Sequence, residues 1–245
     1  MRIVIAGGHG QIALRLERLL AAREHEVAGI IRGPEQAADL REAGAEAVVP
    51  DLESASVDEV AAVLEGADAA VFAAGAGPGS TVERKDTVDR AAAVLFADAA
   101  ERAGVRRHVI VSSMGADPDH RGDEVFDHYL RAKGAADAYV LAKSGLDTTV
   151  LRPGMLTNDA GTGEVNLAPS TGRGPVPRDD VAATLAELVE TSATAGLTLE
   201  LIGGAVPVAE AVRNAGPTTE LISAPVPAPA PAPAEEAVKK ATPSA

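Results

Sequence analysis

The chain has 245 residues, which is enough for one sizeable α/β core but leaves little room for a second full domain. Acidic residues outnumber basic ones 36 to 22, and the formal net charge of −14 disfavours a nucleic-acid partner or an anionic membrane surface. Cysteine is absent, which excludes disulfides, thiolate zinc sites and cysteine nucleophiles.

The order of apolar segments predicts the fold class. Short apolar runs alternate with Ala- and Leu-rich segments of helical period, which is typical of right-handed βαβ crossovers and a parallel sheet. We therefore expect an α/β protein with a Rossmann-type doubly wound parallel sheet in a three-layer αβα arrangement. The strands are expected near residues 2–6, 26–31, 46–50, 68–73, 107–112, 147–151 and 197–202.

Helices are expected between these strands. In the first, Ile12, Leu16, Leu19 and Leu20 recur at the spacing of a stripe that faces the core. The segment 153–177 is rich in Gly, Pro, Thr and Asn and is expected to loop over the sheet. Further helices are expected near residues 86–103, 125–143 and 178–191.

A glycine turn, Gly7-Gly8-His9-Gly10, follows the first predicted strand and opens the first helix. A dinucleotide pyrophosphate needs backbone amides at a helix N-terminus and a turn without Cβ atoms. The turn and the first helical residues supply both, although a glycine loop without a ligand remains the alternative. The residues expected to hold the pyrophosphate are Gly7, Gly8, Gly10, Gln11 and Ile12.

The second predicted strand ends in Arg32, about 20 residues after the glycine turn. An acidic residue at such a strand end binds the ribose hydroxyls of NAD, whereas a guanidinium accommodates the extra phosphate of NADP. Arg32 therefore favours NADP(H), with an ordinary surface arginine as the alternative. The ends of the next two strands are expected in the same crevice. Asp51 and Leu52 are expected at the adenine, and Ala73, Ala74 and Gly75 beside the adenosine ribose. The alternative is that these residues only form turns, without a ligand.

Four further segments, in this order, carry a family resemblance. They are Val111-Ser112-Ser113-Met114-Gly115, Tyr129-Leu130-Arg131-Ala132-Lys133, Leu151-Arg152-Pro153-Gly154 and Arg178-Asp179-Asp180-Val181-Ala182. Over about residues 1 to 215 the chain resembles the atypical short-chain dehydrogenase/reductases, the branch that includes NmrA-like proteins and flavin or biliverdin reductase-like proteins.

The resemblance implies that Tyr129 is a proton donor and Lys133 its electrostatic partner, which also binds the nicotinamide ribose. At positions i and i+4 of a helix the two side chains share one face. A helix with a buried aromatic and an exposed lysine is the alternative. Ser113, or second Ser112, is expected to hold the substrate carbonyl; in longer relatives the acting hydroxyl comes one position later, at Met114 here. Pro153 is expected beside the nicotinamide amide.

These residues together predict an NADP(H)-dependent oxidoreductase that transfers hydride to a small carbonyl, quinone or similarly flat acceptor. A non-catalytic NADP(H)-binding sensor or regulator of the NmrA type is the first alternative, because it would not need the proton relay. Sugar-nucleotide epimerisation is less favoured, because only about 70 residues lie between Pro153 and the proline-rich tail that begins at residue 224. This is too few for a large substrate domain.

The chain is expected to form one NAD(P)-binding domain over residues 1–223, with a small C-terminal portion at the substrate pocket. Residues 224–245 are expected to be a disordered tail, because proline falls on every second residue in its first part. A small-molecule substrate is the expected partner, with no metal, because the histidines lack ligand spacing. With neither a signal peptide nor an apolar stretch of about 18 residues, we expect a cytoplasmic protein without a membrane partner.

Overall fold

A computed structural model of the chain describes residues 1–77 and 79–216, and the predicted tail at 224–245 lies outside the described residues. The α-helices are α1 (Gln11–Ala22), α2 (Ala37–Glu42), α3 (Val57–Leu64), α4 (Val82–Arg84), α5 (Ala92–Arg102), α6 (Val125–Leu141), α7 (Arg178–Glu190) and α8 (Val208–Ala215). A seven-residue π-helix, Lys85–Ala91, joins α4 to α5. The strands are β1 (Arg2–Ala6), β2 (Glu26–Ile30), β3 (Glu46–Val48), β4 (Ala69–Phe72), β5 (Arg107–Val111), β6 (Asp147–Pro153), β7 (Met155–Thr157), β8 (Glu164–Ala168), β9 (Pro175–Pro177), β10 (Thr198–Gly203) and β11 (Val206–Pro207).

Within the described residues, the central sheet has nine strands in the order β11-β8-β10-β6-β5-β4-β1-β2-β3. Strands from β10 to β3 in this order run parallel, and β8 and β11 extend one edge in antiparallel pairing. All seven predicted strands are present, so the predicted Rossmann-type fold is confirmed. The strand order reverses between β1 and β4, where Ala6 pairs with Phe72 on one side and with Ile30 on the other.

Helices cover both faces of the sheet. On β1, Ile3 and Ile5 belong to the apolar cluster that includes α1, α7 and α8, whereas Val4 and Ala6 belong to the cluster under α3, α5 and α6. Because both faces are buried, the central strands are continuously apolar instead of alternating. This explains why short apolar runs in the sequence were sufficient to locate them.

Two local predictions are wrong. The stripe of helix α1 that was predicted to face the core included Leu19, but Leu19 is 36% exposed. Glu17, which was not in that stripe, is fully buried. The room for Glu17 comes from two glycines, since a Cβ atom at Gly8 or Gly29 would lie 2.9 or 2.6 Å from its Oε1. The spacing of apolar residues along a helix does not predict a buried carboxyl group.

The segment expected to loop over the sheet is also partly regular. It contains β7, β8 and β9, of which β8 pairs with β10 and β7 pairs with β9 in a separate two-stranded sheet. The partner of β8 is distant in sequence, and the prolines of β9 are tolerated because this short strand belongs to a two-stranded sheet, in which each strand has a free edge. Leu156 of β7 lines the cleft described below. None of the helices in the described residues is long and apolar enough to span a bilayer.

Candidate functional site

A cleft opens at the carboxyl ends of the parallel strands, where the strand order reverses between β1 and β4. This is the place where open α/β sheets bind ligands. The cleft consists of two cavities of about 230 and 590 Å³. Gly10, Ala73, Ala74 and Gly75 line both of them, so the cavities form one continuous groove.

The glycine turn lies where the two cavities meet. The Gly7 amide donates to the Ile30 carbonyl oxygen at 3.1 Å, and the Gly10 amide donates to the Gly7 carbonyl oxygen at 2.8 Å. Gly7 has a φ of +81°, and a Cβ atom there would lie 2.6 Å from Ala74 Cα. The turn therefore requires glycine at this position, and it opens helix α1, whose first residues, Gln11 and Ile12, line the groove.

The predicted pyrophosphate residues divide into two groups. Gly7, Gly10, Gln11 and Ile12 line the groove. Gly8 instead lies behind the turn, where its amide donates to Ile30 and a Cβ atom would lie 2.9 Å from Gly29 Cα. Gly8 allows the turn to pack closely on β2, so its contribution to ligand binding is indirect.

The smaller cavity contains every residue predicted at the adenosine end: Arg32, Asp51, Leu52, Ala73, Ala74 and Gly75. The Arg32 side chain is exposed and makes no ion pair within the described part of the chain. The Asp51 carboxylate accepts the Glu53 amide at 3.0 Å, so it also shapes its own turn.

Arg84 lines the same cavity and has no role in the sequence-based predictions. Its guanidinium donates to Glu53 at 2.7 Å. Burial raises the pKa of Glu53, but the hydrogen bonds from Arg84 and Thr87 outweigh it and keep that pKa below its ordinary value. The smaller cavity thus holds one guanidinium without an ion pair among the described residues, that of Arg32, and one guanidinium paired with a carboxylate, that of Arg84.

The larger cavity brings together Tyr129, Lys133, Ser113 and Pro153. Tyr129 is half-buried, and its ring stacks on Phe126 with centroids 5.7 Å apart. Among the described residues, its hydroxyl has no hydrogen-bond partner. The phenol is therefore free to meet a molecule in the cavity.

Lys133 is buried, with only 3% of the residue exposed. Its ammonium donates to the carbonyl oxygens of Val111 at 3.0 Å and Ala74 at 3.4 Å, and lies 3.5 Å from Asp89 Oδ1. The alternative of an exposed lysine beside a buried aromatic is therefore wrong, because the lysine is the more buried of the two. A buried ammonium needs such partners, since an unpaired charge is costly away from water.

The two candidate serines have different surroundings. Ser112 is buried, and its hydroxyl donates to Asp137 at 2.7 Å, an oxygen that also accepts two bonds from Arg152. Burial raises the pKa of Asp137, against the effect of these hydrogen bonds. Ser113 is half-buried and makes only a long bond, of 3.3 Å, to the Met114 carbonyl oxygen. Ser113 is thus the less committed hydroxyl at the cavity.

The π-helix adds two residues that carry no predicted role. Lys85 donates to the Gly77 carbonyl oxygen at 2.8 Å, and its ammonium lies 5.1 Å from the centroid of the Tyr129 ring. Asp89 is fully buried, lies between Lys85 and Lys133, and has one oxygen, Oδ1, without a hydrogen bond. The only sequence signal is the four-residue spacing of Lys85 and Asp89, which also fits an ordinary surface pair.

Known proteins share this architecture and much of this sequence. A family model described as NAD(P)H-binding matches residues 7–192. YhfK of Bacillus subtilis strain 168, described as an uncharacterized sugar epimerase, is 37% identical over 215 residues that cover 87% of this chain and 100% of the relative. The range matched by the family model includes the glycine turn and the strand ends that line the cleft.

Solved structures of other proteins are also similar to this chain. One from Bacillus halodurans, provisionally described as an NAD-dependent epimerase/dehydratase, is 37% identical with a TM-score of 0.80 and covers 87% of this chain and 99% of its own. ChuY of Escherichia coli O157:H7, described as an anaerobillin reductase, is 26% identical with a TM-score of 0.70 and covers 83% of this chain and 97% of its own.

Proposed function

The chain belongs to the NAD(P)H-binding family, within the atypical short-chain dehydrogenase/reductases, and on that premise we propose that it is an NADPH-dependent oxidoreductase. Its acceptor is a small carbonyl, a quinone or a similarly flat molecule. The observation that carries the proposal is the meeting of Tyr129 and Lys133 in a cavity that continues from the glycine turn.

The residues of the cleft fit a dinucleotide. The turn at Gly7 leaves no room for a side chain and opens helix α1, whose N-terminal amides suit a pyrophosphate. Gly10, Gln11 and Ile12 continue this surface, supported from behind by Gly8. Arg32 holds the 2′-phosphate, and the remaining contacts are Asp51 and Leu52 at the adenine, Ala73, Ala74 and Gly75 at the adenosine ribose, Lys133 at the nicotinamide ribose and Pro153 at the nicotinamide amide.

NADPH, when bound, supplies the hydride. Tyr129 donates its phenolic proton to the acceptor oxygen, so that a carbonyl gains one hydride and one proton and becomes an alcohol. The ammonium of Lys133 stabilises the phenolate that is left, and a proton from water restores the phenol. The hydroxyl of Ser113 hydrogen-bonds the acceptor oxygen and orients it toward Tyr129.

Sugar-nucleotide epimerisation is a second candidate, favoured by the description of the Bacillus subtilis relative. Such a reaction returns the hydride to the substrate and consumes no NADPH overall. Incubation of the protein and NADP⁺ with UDP-glucose or UDP-galactose, followed by chromatography, tests it directly. Appearance of the epimer without net change in NADPH would replace the reductase proposal.

The first test of the reductase is a pair of tyrosine variants on α6. Tyr129→Phe removes the proposed proton donor, whereas Tyr139→Phe removes a phenol that hydrogen-bonds Asp98 outside the cleft. We expect Tyr129→Phe to lower kcat for 9,10-phenanthrenequinone and 4-nitrobenzaldehyde by about 10²–10⁴-fold with the Kd of NADPH little changed, and Tyr139→Phe to keep activity. Unaltered turnover in Tyr129→Phe contradicts the proposed role, and tight NADPH binding without turnover of any acceptor would support a sensor.

A further inference from the structure

The larger cavity carries surplus positive charge in a strongly acidic protein. Three cationic side chains line it, those of Lys85, Lys133 and Arg178, against one carboxylate, that of Asp89. The chain as a whole has a formal net charge of −14. A local excess of cations against this background attracts a negatively charged ligand.

Of the two buried ammonium groups at this cavity, that of Lys85 has the greater unmet bonding capacity. The residue is 8% exposed, and its ammonium, which has three N–H donors, makes one hydrogen bond within the described residues, to the Gly77 carbonyl oxygen at 2.8 Å. Asp89 Oδ2 is 4.0 Å away, the outer limit of an ion pair, and the same carboxylate lies closer to Lys133 at 3.5 Å. A largely buried ammonium that keeps two donors unused among the described residues is well suited to an anionic partner.

The position of Lys85 assigns this partner to the acceptor side of the cleft. Its ammonium lies over the ring of Tyr129, the proposed proton donor, at 5.1 Å from the centroid. Arg178 at the start of α7 adds positive potential to the same cavity, with one N–H bound to Asn158 at 2.9 Å.

The cavity also has an apolar wall suited to a flat molecule. Val125, Phe126 and Leu156 line it, and Phe126 is 62% exposed while its ring stacks on Tyr129. An exposed aromatic ring beside a cavity offers a planar contact surface.

We propose that the acceptor is a planar, conjugated carbonyl or quinone that carries a carboxylate, and that Lys85 binds this carboxylate while Phe126 packs on the ring system. This inference rests on the proposed function, because it places the carboxylate in the acceptor site next to Tyr129. Lys85 thereby determines specificity, and Asp89 orients it from the buried side.

A matched pair of inert ligands tests the proposal without turnover. 2-Naphthoate and 2-naphthamide have the same shape and differ in charge, and their fluorescence is readily followed because the protein has no Trp. With saturating NADP⁺, we expect naphthoate to bind at least about tenfold more tightly than naphthamide, and added salt to reduce this preference. Equal affinities, or no binding of naphthoate, would overturn the proposal.

Variants of single lysines show which residue causes the preference for naphthoate over naphthamide. Lys85→Gln should bring the two affinities together, Lys85→Arg should retain the preference, and Lys143→Gln should leave it unchanged, because Lys143 pairs with Asp98 and Glu101 outside the cavity. Retention of the full preference in Lys85→Gln would overturn the assignment. If Lys85→Gln does not fold, the wild-type comparison still decides whether the site prefers an anion.

Failure of the inference is distinguishable from failure of the proposed function. Reduction of 4-formylbenzoate and of its methyl ester by NADPH measures both. If the ester is turned over as well as the acid and naphthoate has no advantage, the reductase stands and the carboxylate site does not. If naphthoate binds through Lys85 but neither aldehyde nor any quinone is reduced, the anion site stands and the reductase does not.

Discussion

The carboxylate of Asp89 and the ammonium of Lys133 lie 3.5 Å apart at the inner end of the cleft, with side chains 0% and 4% exposed. Asp89 is also the nearest carboxylate to Lys85, at 4.0 Å. One buried anion is thus shared by two buried cations in the cavity of the proposed proton donor. Removal of that anion would leave both ammonium groups without a charged partner among the residues that line the larger cavity.

Asp89→Asn should therefore destabilise the protein. Breaking a buried ion pair on one side costs about 3–5 kcal/mol, because the remaining charge stays away from water. Asp86→Asn on the same π-helix is the control, since its partner Arg90 is well exposed and such pairs are worth about 0–1 kcal/mol. Urea unfolding of the two variants gives the comparison. A similar small loss in the free energy of unfolding in both variants would show that Lys133 is stabilised by its backbone carbonyl partners instead.

A second prediction concerns the glycine turn. Gly7→Ala introduces a Cβ atom 2.6 Å from Ala74 Cα, at a φ of +81°. Gly66→Ala is the matched control, because Gly66 also has a positive φ, +72°, but nothing lies within 4 Å of its missing Cβ atom. Both variants carry the backbone cost of roughly 1–2 kcal/mol, and only Gly7→Ala adds the clash.

We expect Gly66→Ala to bind NADPH normally and Gly7→Ala to lose binding and unfold at lower urea. NADPH fluorescence titration and urea unfolding provide the two measurements. Normal NADPH affinity in a folded Gly7→Ala variant would mean that the turn does not hold the pyrophosphate.

The contrast between the glycine turn and the π-helix shows what the sequence could predict. Parallel strands buried on both faces are continuous apolar runs, and their ends share one edge of the sheet, so Ser113, Tyr129 and Lys133 were expected to meet and do line one cavity. The places of Lys85 and Asp89 depend on a local change from α-helical to π-helical hydrogen bonding, which has no sequence pattern of its own. The pairing of β8 with β10 likewise depends on a strand distant in the chain.

A third prediction tests the proposed preference for NADPH. Arg32→Ser removes the exposed guanidinium at the adenosine end of the cleft, and a charge-assisted contact with a phosphate is worth about 1.5–3 kcal/mol. We expect the Kd of NADPH to rise by about 10–100-fold while the Kd of NADH changes little. Arg41→Ser on α2 is the control, because Arg41 is exposed and does not line the cavity. An equal loss of affinity for both cofactors would remove Arg32 as the basis of the proposed NADP preference.

The last prediction concerns Glu17, which lies under the glycine turn. Its side chain is fully buried, and both carboxyl oxygens lack a hydrogen-bond partner among the described residues. Burial raises the pKa of Glu17 to about 8, opposed by the charge of Arg18. The folded protein therefore holds this proton more tightly than the unfolded chain does, and ionisation of Glu17 disfavours folding.

The pH dependence of the free energy of unfolding follows from the raised pKa of Glu17. The favourable contribution of the protonated carboxyl is complete below the unfolded-chain pKa of 4.5 and is lost progressively as the pH rises toward about 8. The loss is at most about 1.4 kcal/mol per pH unit. Glu17→Gln keeps a neutral side chain of similar size at every pH. The variant should thus resemble wild type near pH 5 and become more stable than wild type by several kcal/mol near pH 8.

Urea unfolding at pH 5, 6, 7, 8 and 9 measures the difference between Glu17→Gln and wild type, in which the other titrating groups cancel because both proteins share them. Glu42→Gln is the control, since Glu42 is exposed on α2 and its difference from wild type should be small and flat. A flat difference for Glu17→Gln would mean that water reaches the carboxylate, because a hydrated group would ionise near its ordinary pKa and add no pH dependence to folding.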